Sequence, residues 1–276
     1  MTNPGASALL ARLRSSDTAV VAPALVEAQK VRAFEAAPII AELLRSPEGG
    51  IRATAAEALG YVGVKAPSRY GEALLPLLGD LESSARACAA EALGALAYEP
   101  AIPGLERLVI ADGDELVRTS AMEALGAFDG PRILAVAEHA TDDPDPTVRA
   151  YAVRVIALKG NETFLPMLKK RLEVERDFQP RAALLGARYL LGSNDDIRPL
   201  LDLLTDADIV HSTIVLNGLW DIIGKAPAAS IVRDAAAIRK ALAQAKERNE
   251  LVGRHADEDL KELAKRLGAS RSSPNR

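Results

Sequence analysis

The chain has 276 residues and a formal net charge of −4, and it is 49% hydrophobic but only 4% aromatic. Ala, Leu, Ile and Val supply the apolar bulk, which favours thin, closely packed helical layers over a thick core built around large rings. No stretch approaches the roughly 18 consecutive apolar residues of a membrane span, residues 1–16 hold no apolar signal core, and the lone Cys88 excludes an internal disulfide and fits a reducing compartment.

A cytoplasmic location is therefore expected. The charge is uneven: residues 1–150 hold 13 Lys and Arg against 21 Asp and Glu, and the remainder holds 21 against 17. An acidic first half and a mildly basic second half can orient a partner along the molecule.

Taken in order, the apolar periodicity predicts helices over 6–14 and 18–28, then 38–45 followed by a helix from Ile51 to about Gly60. Further first helices are expected over 68–78, 102–110, 131–139 and 164–172. Each precedes a second helix that opens on an arginine: Arg86, Arg118, Arg149 and Arg181. A pair over 197–204 and 209–223 follows, then a closing pair over 231–245 and 257–267 with a highly charged outer face. Terminal repeats need such a face because no neighbour covers them.

Arg52, Arg86, Arg118, Arg149 and Arg181 stand 34, 32, 31 and 32 residues apart, and four residues before each is an acid: Glu48, Glu82, Asp114, Asp145 and Asp177. A carboxylate there meets the free N–H groups and positive dipole end of a helix start. Each Arg is expected to pair with its own acid or with that of an adjoining repeat, forming a structural ladder. Gly60, Gly94, Gly126, Gly160 and Gly192 close the segments and are read as left-handed helix ends. In the sixth pair Ser212 follows Asp208 where the ladder would put Arg, so the ladder stops there.

The strings 117–126 (VRTSAMEALG) and 92–108 (ALGALAYEPAIPGLERL) resemble HEAT repeats of the short bacterial, phycobilisome lyase type. The resemblance runs from about 5 to 245 and is clearest over 36–192. It implies an all-α, right-handed α-solenoid of about eight stacked antiparallel helix pairs, with the second helices lining a concave side. The chain is expected to be one domain over 1–268, with degenerate end pairs at 5–28 and 195–268 and a disordered tail at 269–276.

Residues with chemical potential are few. His139, His211 and His255 sit at unrelated places in their repeats, without the His-Glu pairs of the iron-dependent HEAT-like hydroxylases, and no HExxH, CxxC, Walker loop or GxSxG occurs. Neither a metal nor a cofactor is expected. Asp142-Asp143-Pro144-Asp145 reads as a turn and cap, Cys88 as a packing residue, and Trp220, among Leu216, Leu219, Ile222 and Ile223, as core. A pI of 5.6 argues against a nucleic-acid groove.

What remains is a surface. With Ile51, Ala55 and Leu59 turned inward, Ala53, Ala56, Glu57 and Gly60 face the other way, and the same position recurs as Glu91 and Glu123, then as Arg154. Glu57, Glu91, Glu123, Arg154 and Arg188 are the candidate partner-binding residues. The expected function is a non-catalytic module that holds a protein or peptide, a basic segment included, as scaffold, adaptor or immunity-type inhibitor, without nucleic acid or membrane. The alternative that the resemblance implies is a bilin lyase-like enzyme subunit or chromophore chaperone; a HEAT-like repair protein ranks third.

Overall fold

The computed structural model describes residues 4–193, 197–205 and 207–271, and every regular element among them is a helix. The chain divides into two compact units, Met1–Ala140 and Thr141–Arg276, where the periodicity reads as a single domain.

In the first unit, α1 (Pro4–Leu13), α3 (Ala37–Leu43), α5 (Pro67–Leu74, running on as a 3₁₀ segment Leu75–Gly79), α7 (Ile102–Ala111) and α9 (Pro131–Ala140) form one layer. The other layer is α2 (Thr18–Lys30), α4 (Gly49–Val62), α6 (Ser83–Ala95) and α8 (Glu115–Leu125), stacked in that order. In the second unit, α10 (Pro146–Lys159), α12 (Phe178–Leu190), α14 (Ile209–Lys225) and α16 (Glu250–Arg271) stack likewise. There α11 (Leu165–Val174) packs on α12, while α13 (Arg198–Thr205) packs against α14 and α15 (Ala228–Arg248). Both units are α-solenoid in architecture. Helix α16 continues to Arg271, past the start expected for a tail; residues 272–276 lie outside the described residues.

Between the layers lies an aliphatic core. Leu13, Leu25, Ile40, Leu59, Leu74, Leu93, Leu105, Met122 and Leu125 are fully buried in the first unit, and Ile156, Leu168 and Leu184 in the second. Rings are scarce in it because the helices approach too closely. Gly60 and Gly94 do not end their helices in a left-handed turn; they sit inside α4 and α6. A Cβ on Gly60 would lie 3.0 Å from the Ala92 Cα, and one on Gly94 would lie 2.7 Å from the Ala124 Cα. These glycines are contact points between successive second helices. Gly126 and Gly160 close helices without positive φ, and only Gly192, at φ +86, takes the expected left-handed role.

The arginine ladder exists, but its acids are mostly not the expected ones. The Arg52 guanidinium grips both oxygens of Asp80 at 2.7 and 2.6 Å, and Arg86 grips Asp112 at 2.7 and 2.8 Å. In the second unit Arg149 binds both oxygens of Glu175 at 2.9 and 3.1 Å, and also Asp177 at 2.6 Å. Asp80, Asp112 and Glu175 each stand two residues before the acid picked out by spacing. Each also accepts the backbone N–H of that later residue, at 2.9, 3.0 and 3.0 Å, closing an Asx-type turn.

Of the acids expected in the ladder, Asp114 and Asp145 cap α8 and α10, whereas Glu48 and Glu82 occupy N-cap positions without a side-chain bond. Glu82 lies over Gly49 instead, where a Cβ would meet its Cγ at 2.2 Å. Asp177 alone both precedes its helix and pairs with a ladder arginine. Every ladder arginine makes a further bond to the carbonyl six residues earlier: Ser46, Asp80, Asp112, Asp143 and Glu175 for Arg52, Arg86, Arg118, Arg149 and Arg181.

Two outcomes test this packing. Arg86→Ala is expected to lower stability by about 1–3 kcal/mol, because it strands the shielded Asp112 carboxylate and a turn carbonyl, whereas Arg107→Ala, on an exposed side chain, should move it by no more than about 0.5 kcal/mol. Equal urea midpoints would show the ladder to be decorative. Gly94→Ala should destabilise by about 1–3 kcal/mol by forcing α6 from α8, while Gly224→Ala in α14, with open space around its Cβ, should stabilise by about 0.5–1 kcal/mol. Thermal unfolding of both variants gives the two signs.

Candidate functional site

Each second helix is covered by its partner helix and by stacked neighbours, so only a narrow strip stays open. In α4 the strip is Gly50, Thr54, Glu57 and Tyr61; in α6 it is Ser84, Cys88, Glu91 and Ala95; in α8 its open positions are Leu116, Glu123 and Ala127. The spacing of four, three and four residues keeps one face of the helix. Glu57, Glu91 and Glu123 are exposed at equivalent positions, as the periodicity indicates. Their expected Ala and Gly surroundings are not open, since Ala53, Ala56, Ala87 and Ala90 are buried against the neighbouring helices.

The column is tied into the surface. Glu57 accepts from Gln29 Nε2 at 3.0 Å, and Glu91 accepts from Ser120 Oγ at 2.6 Å. Cys88 lies half-buried between the first two glutamates. Burial, followed by the Glu91 and Glu57 charges, pushes its thiol up to about 11, so the thiolate that nucleophilic chemistry needs is suppressed.

The second helices of the second unit leave a different surface. The α12 strip carries Gln179, Ala183, Gly186 and Leu190, so its centre is low. On one side α10 presents Tyr151, Arg154 and Leu158; on the other α14 presents Ile214, Asn217, Trp220 and Asp221. Together they enclose a pocket of about 250 Å³. Arg154 reaches across the low α12 to Asp221, with Nε 2.8 Å from Oδ2. Gly186, buried in α12, contributes to the pocket lining between them.

Two sequence readings change here. Trp220 is 47% exposed and forms a pocket wall, because the apolar stripe of α14 is carried by Leu216, Leu219, Ile222 and Ile223 while position 220 turns outward. Arg188 is off the strip: it lies two residues, about 200° of helix rotation, beyond Gly186, and is not among the residues that line this pocket. The pocket itself was missed. Its sequence signal is the Glu, Glu, Glu, Arg, Gly series at one helical position, where a glycine marks a depression in an otherwise filled strip.

A second pocket, of about 220 Å³, lies between α14 and α16 and is lined by Leu216, Asn217, Trp220, His255, Glu258 and Asp259. Asp259 is only 2% exposed, and its Oδ2 has no hydrogen-bond partner. Burial, then the neighbouring Glu258 charge, pushes its carboxyl up to about 7.

Elsewhere, polar groups have structural uses. Asp145 caps α10, and Asp143 closes the turn before it by accepting the Asp145 N–H. His211 bonds Asp208 through Nδ1 at 2.8 Å and meets the Phe178 ring edge-on at 4.3 Å. Among the described residues no group of three or more His, Cys, Asp or Glu could hold a metal ion, and no helix is long and apolar enough to cross a membrane.

Stacked helix pairs joined by an arginine at the fourth residue of successive second helices define a repeat protein of the α-solenoid class. A model of HEAT repeats matches residues 36–126, 71–143 and 133–217, and the chain belongs to the HEAT-repeat family.

No curated protein sequence matches the chain. Among solved structures, it is similar to the complex of CpcE and CpcF of phycocyanin lyase from Nostoc sp. PCC7120. Identity is 21% and the TM-score 0.57, over 81% of this chain and 89% of that one. An engineered protein matches at 20% identity and TM-score 0.46, over 95% and 79% of the two chains. Human deoxyhypusine hydroxylase in complex with glycerol matches at 14% and 0.32, over 95% and 86%.

The first likeness corrects the expectation of a chain without enzymatic function. The architecture is shared with part of a lyase, so an all-helical repeat fold is no argument against catalysis.

Asp259 gives a pH-dependent outcome. Its folded value near 7 lies above the roughly 3.9 of an unfolded aspartate. Folding therefore favours the protonated form, and the cost of burying the group is absent below about pH 4, grows as pH rises and levels off above about 7. The stability gained by Asp259→Asn is expected to be larger at pH 8 than at pH 4 by about 1–4 kcal/mol. Urea midpoints that keep the same offset at both pH values would show Asp259 to be ionised and compensated in the folded chain.

Proposed function

We propose that the chain binds a protein or peptide segment along the exposed strips of its second helices. The observation that carries this reading is Trp220, the single tryptophan of the sequence, standing 47% exposed in the wall of a 250 Å³ pocket on that face. Large aromatics in pockets are the side chains most often found at the centre of protein interfaces. Within the first unit, the exposed glutamates at positions 57, 91 and 123 form a charged strip of their own and suit a partner with a basic segment. The similar solved structure is itself a complex of two proteins, which supports a protein partner here.

A second reading, a subunit of an enzyme that modifies a protein, is favoured by the likeness to a phycocyanin lyase and by a pocket large enough to hold part of a small molecule. A bilin lyase-like subunit or a chromophore chaperone belongs to this reading. The two readings share the binding step and differ in whether the partner leaves altered.

The test is capture of a partner from the source cells by the full chain, followed by titration of the identified protein. Trp220→Ala is expected to weaken binding by about tenfold or more. Charge reversal of Glu57, Glu91 and Glu123 to Lys should do the same and reduce the salt dependence of association. Glu72→Lys, on the exposed surface of α5, serves as control and should change affinity little. Glu106 is unsuitable as a control because it is 6% exposed and paired with Arg132 at 2.5 Å. Unchanged affinity in both test variants would remove the strips from the interface. A mass change in the partner after incubation with the chain would select the enzyme-subunit reading.

A further inference from the structure

Asp259 is the anomaly of the second unit. A carboxylate taken out of water costs several kcal/mol unless it is paired or fully hydrogen-bonded. The other buried acids of the chain meet that condition at least in part: Asp112 and Glu175 hold arginines, Glu106 holds Arg132, and Asp234, 13% exposed, accepts from Tyr189 at 2.7 Å and pairs with Arg233. Glu106 Oε1 and Asp259 Oδ2 are both buried without a hydrogen-bond partner, but Glu106 holds Arg132 through its other oxygen and Asp259 has no such ion pair.

It lines a pocket whose composition has one sense. Glu258 is a second carboxylate, Trp220 adds an aromatic wall, Asn217 and His255 stand at exposed positions, and no Lys or Arg contributes to the lining. An aromatic wall beside buried and exposed carboxylates is the arrangement that recognises an organic cation, by charge, by hydrogen bonds to the unpartnered oxygen and by attraction to the indole face. Among the described residues no group of three or more His, Cys, Asp or Glu could hold a metal ion, and the aromatic wall suits an ammonium or guanidinium.

We propose that the pocket between α14 and α16 is a recognition site for a lysine or arginine side chain of a bound polypeptide, with Asp259 as the buried acceptor, Glu258 at the rim and Trp220 as the wall. A polypeptide is the source because Trp220 is shared with the larger, more apolar pocket on the other side of α14. A segment crossing this indole seats a basic side chain on the α16 side and an apolar one on the α12 side. The inference deepens the binding function proposed above and rests on it for the identity of the guest, although the pocket can be tested with no partner in hand.

Because Trp220 is the only tryptophan of the sequence and walls both pockets, its fluorescence reports on either, and the Asp259 and Glu258 substitutions assign a response to the α16 side. The full chain is titrated with N-acetyl-arginine amide, N-acetyl-lysine amide and the uncharged N-acetyl-citrulline amide. A saturable change with one or both cations, and none with citrulline at the same concentrations, is expected. Asp259→Asn keeps the shape of the side chain and is expected to weaken cation binding by about tenfold or more. Glu258→Gln, at an exposed position, should weaken it by about threefold and keeps the test open if the first variant fails to fold.

Equal responses to citrulline and arginine derivatives, no saturable response to any, or cation binding unchanged by both substitutions would overturn the site. Putrescine saturating the signal at a tenfold lower concentration than either capped amino acid would overturn the polypeptide source. Failure here would leave partner capture through the α12 pocket unaffected, and failure of partner capture would leave this titration readable, so the two ideas fall separately.

Discussion

The fold turns on one repeated joint, the grip of an arginine at the fourth residue of a second helix on the turn acid of the following repeat. The arginine fork satisfies a carboxylate bidentately and a turn carbonyl at once. The same carboxylate holds its own turn through the backbone N–H two residues on. One charge pair therefore fixes the end of one repeat and the start of the next. Its surroundings matter: the Arg86 and Asp112 side chains are only 16% and 7% exposed, so neither partner is left to water if the other is lost. The guanidiniums hold Asp80 and Asp112 below the usual carboxylate range against the opposing effect of burial.

Close stacking then decides what surface is left. Glycines at 60 and 94 let α4, α6 and α8 approach until backbone nearly meets side chain, which buries the alanines on both flanks of each helix. What remains open is a strip one residue wide, with three or four positions per repeat. In the first unit the central one is glutamate three times over. The second unit, taken by itself, has Arg154, Gly186 and Asn217 in the lining of a pocket spanned by the Arg154–Asp221 pair.

The closing pair obeys the solenoid rule and departs from it at one point. Helices α15 and α16 are the longest in the chain and carry the charged face that a terminal repeat needs. Arg248 and Arg266 turn back to cap carbonyls of the preceding repeat, at Leu204, Thr205, Ile223 and Ala226. These bonds tie α15 and α16 to the preceding pair. Asp259 does not take part: it is buried without a cation and beside another acid, a cost to folding without any structural return.

The sequence by itself determined the helices, their pairing and the 31–34 residue spacing of the ladder, because apolar periodicity, N-capping acids and a recurring arginine are local signals that survive without a structure. It also placed Glu57, Glu91 and Glu123 on open ground. Only the tertiary structure decided which acid each arginine takes, since Asp80 and Glu82 are both within reach in sequence and the turn geometry selects between them. It moved Gly60 and Gly94 from helix ends to helix contacts, because close approach depends on the neighbouring helix and not on the chain around the glycine. It turned Trp220 from core to pocket wall, because 100° of rotation separates it from Leu219 and only the position of α16 shows which face is covered. And it revealed Asp259, whose missing partner is a property of everything packed around it and of nothing adjacent to it in sequence.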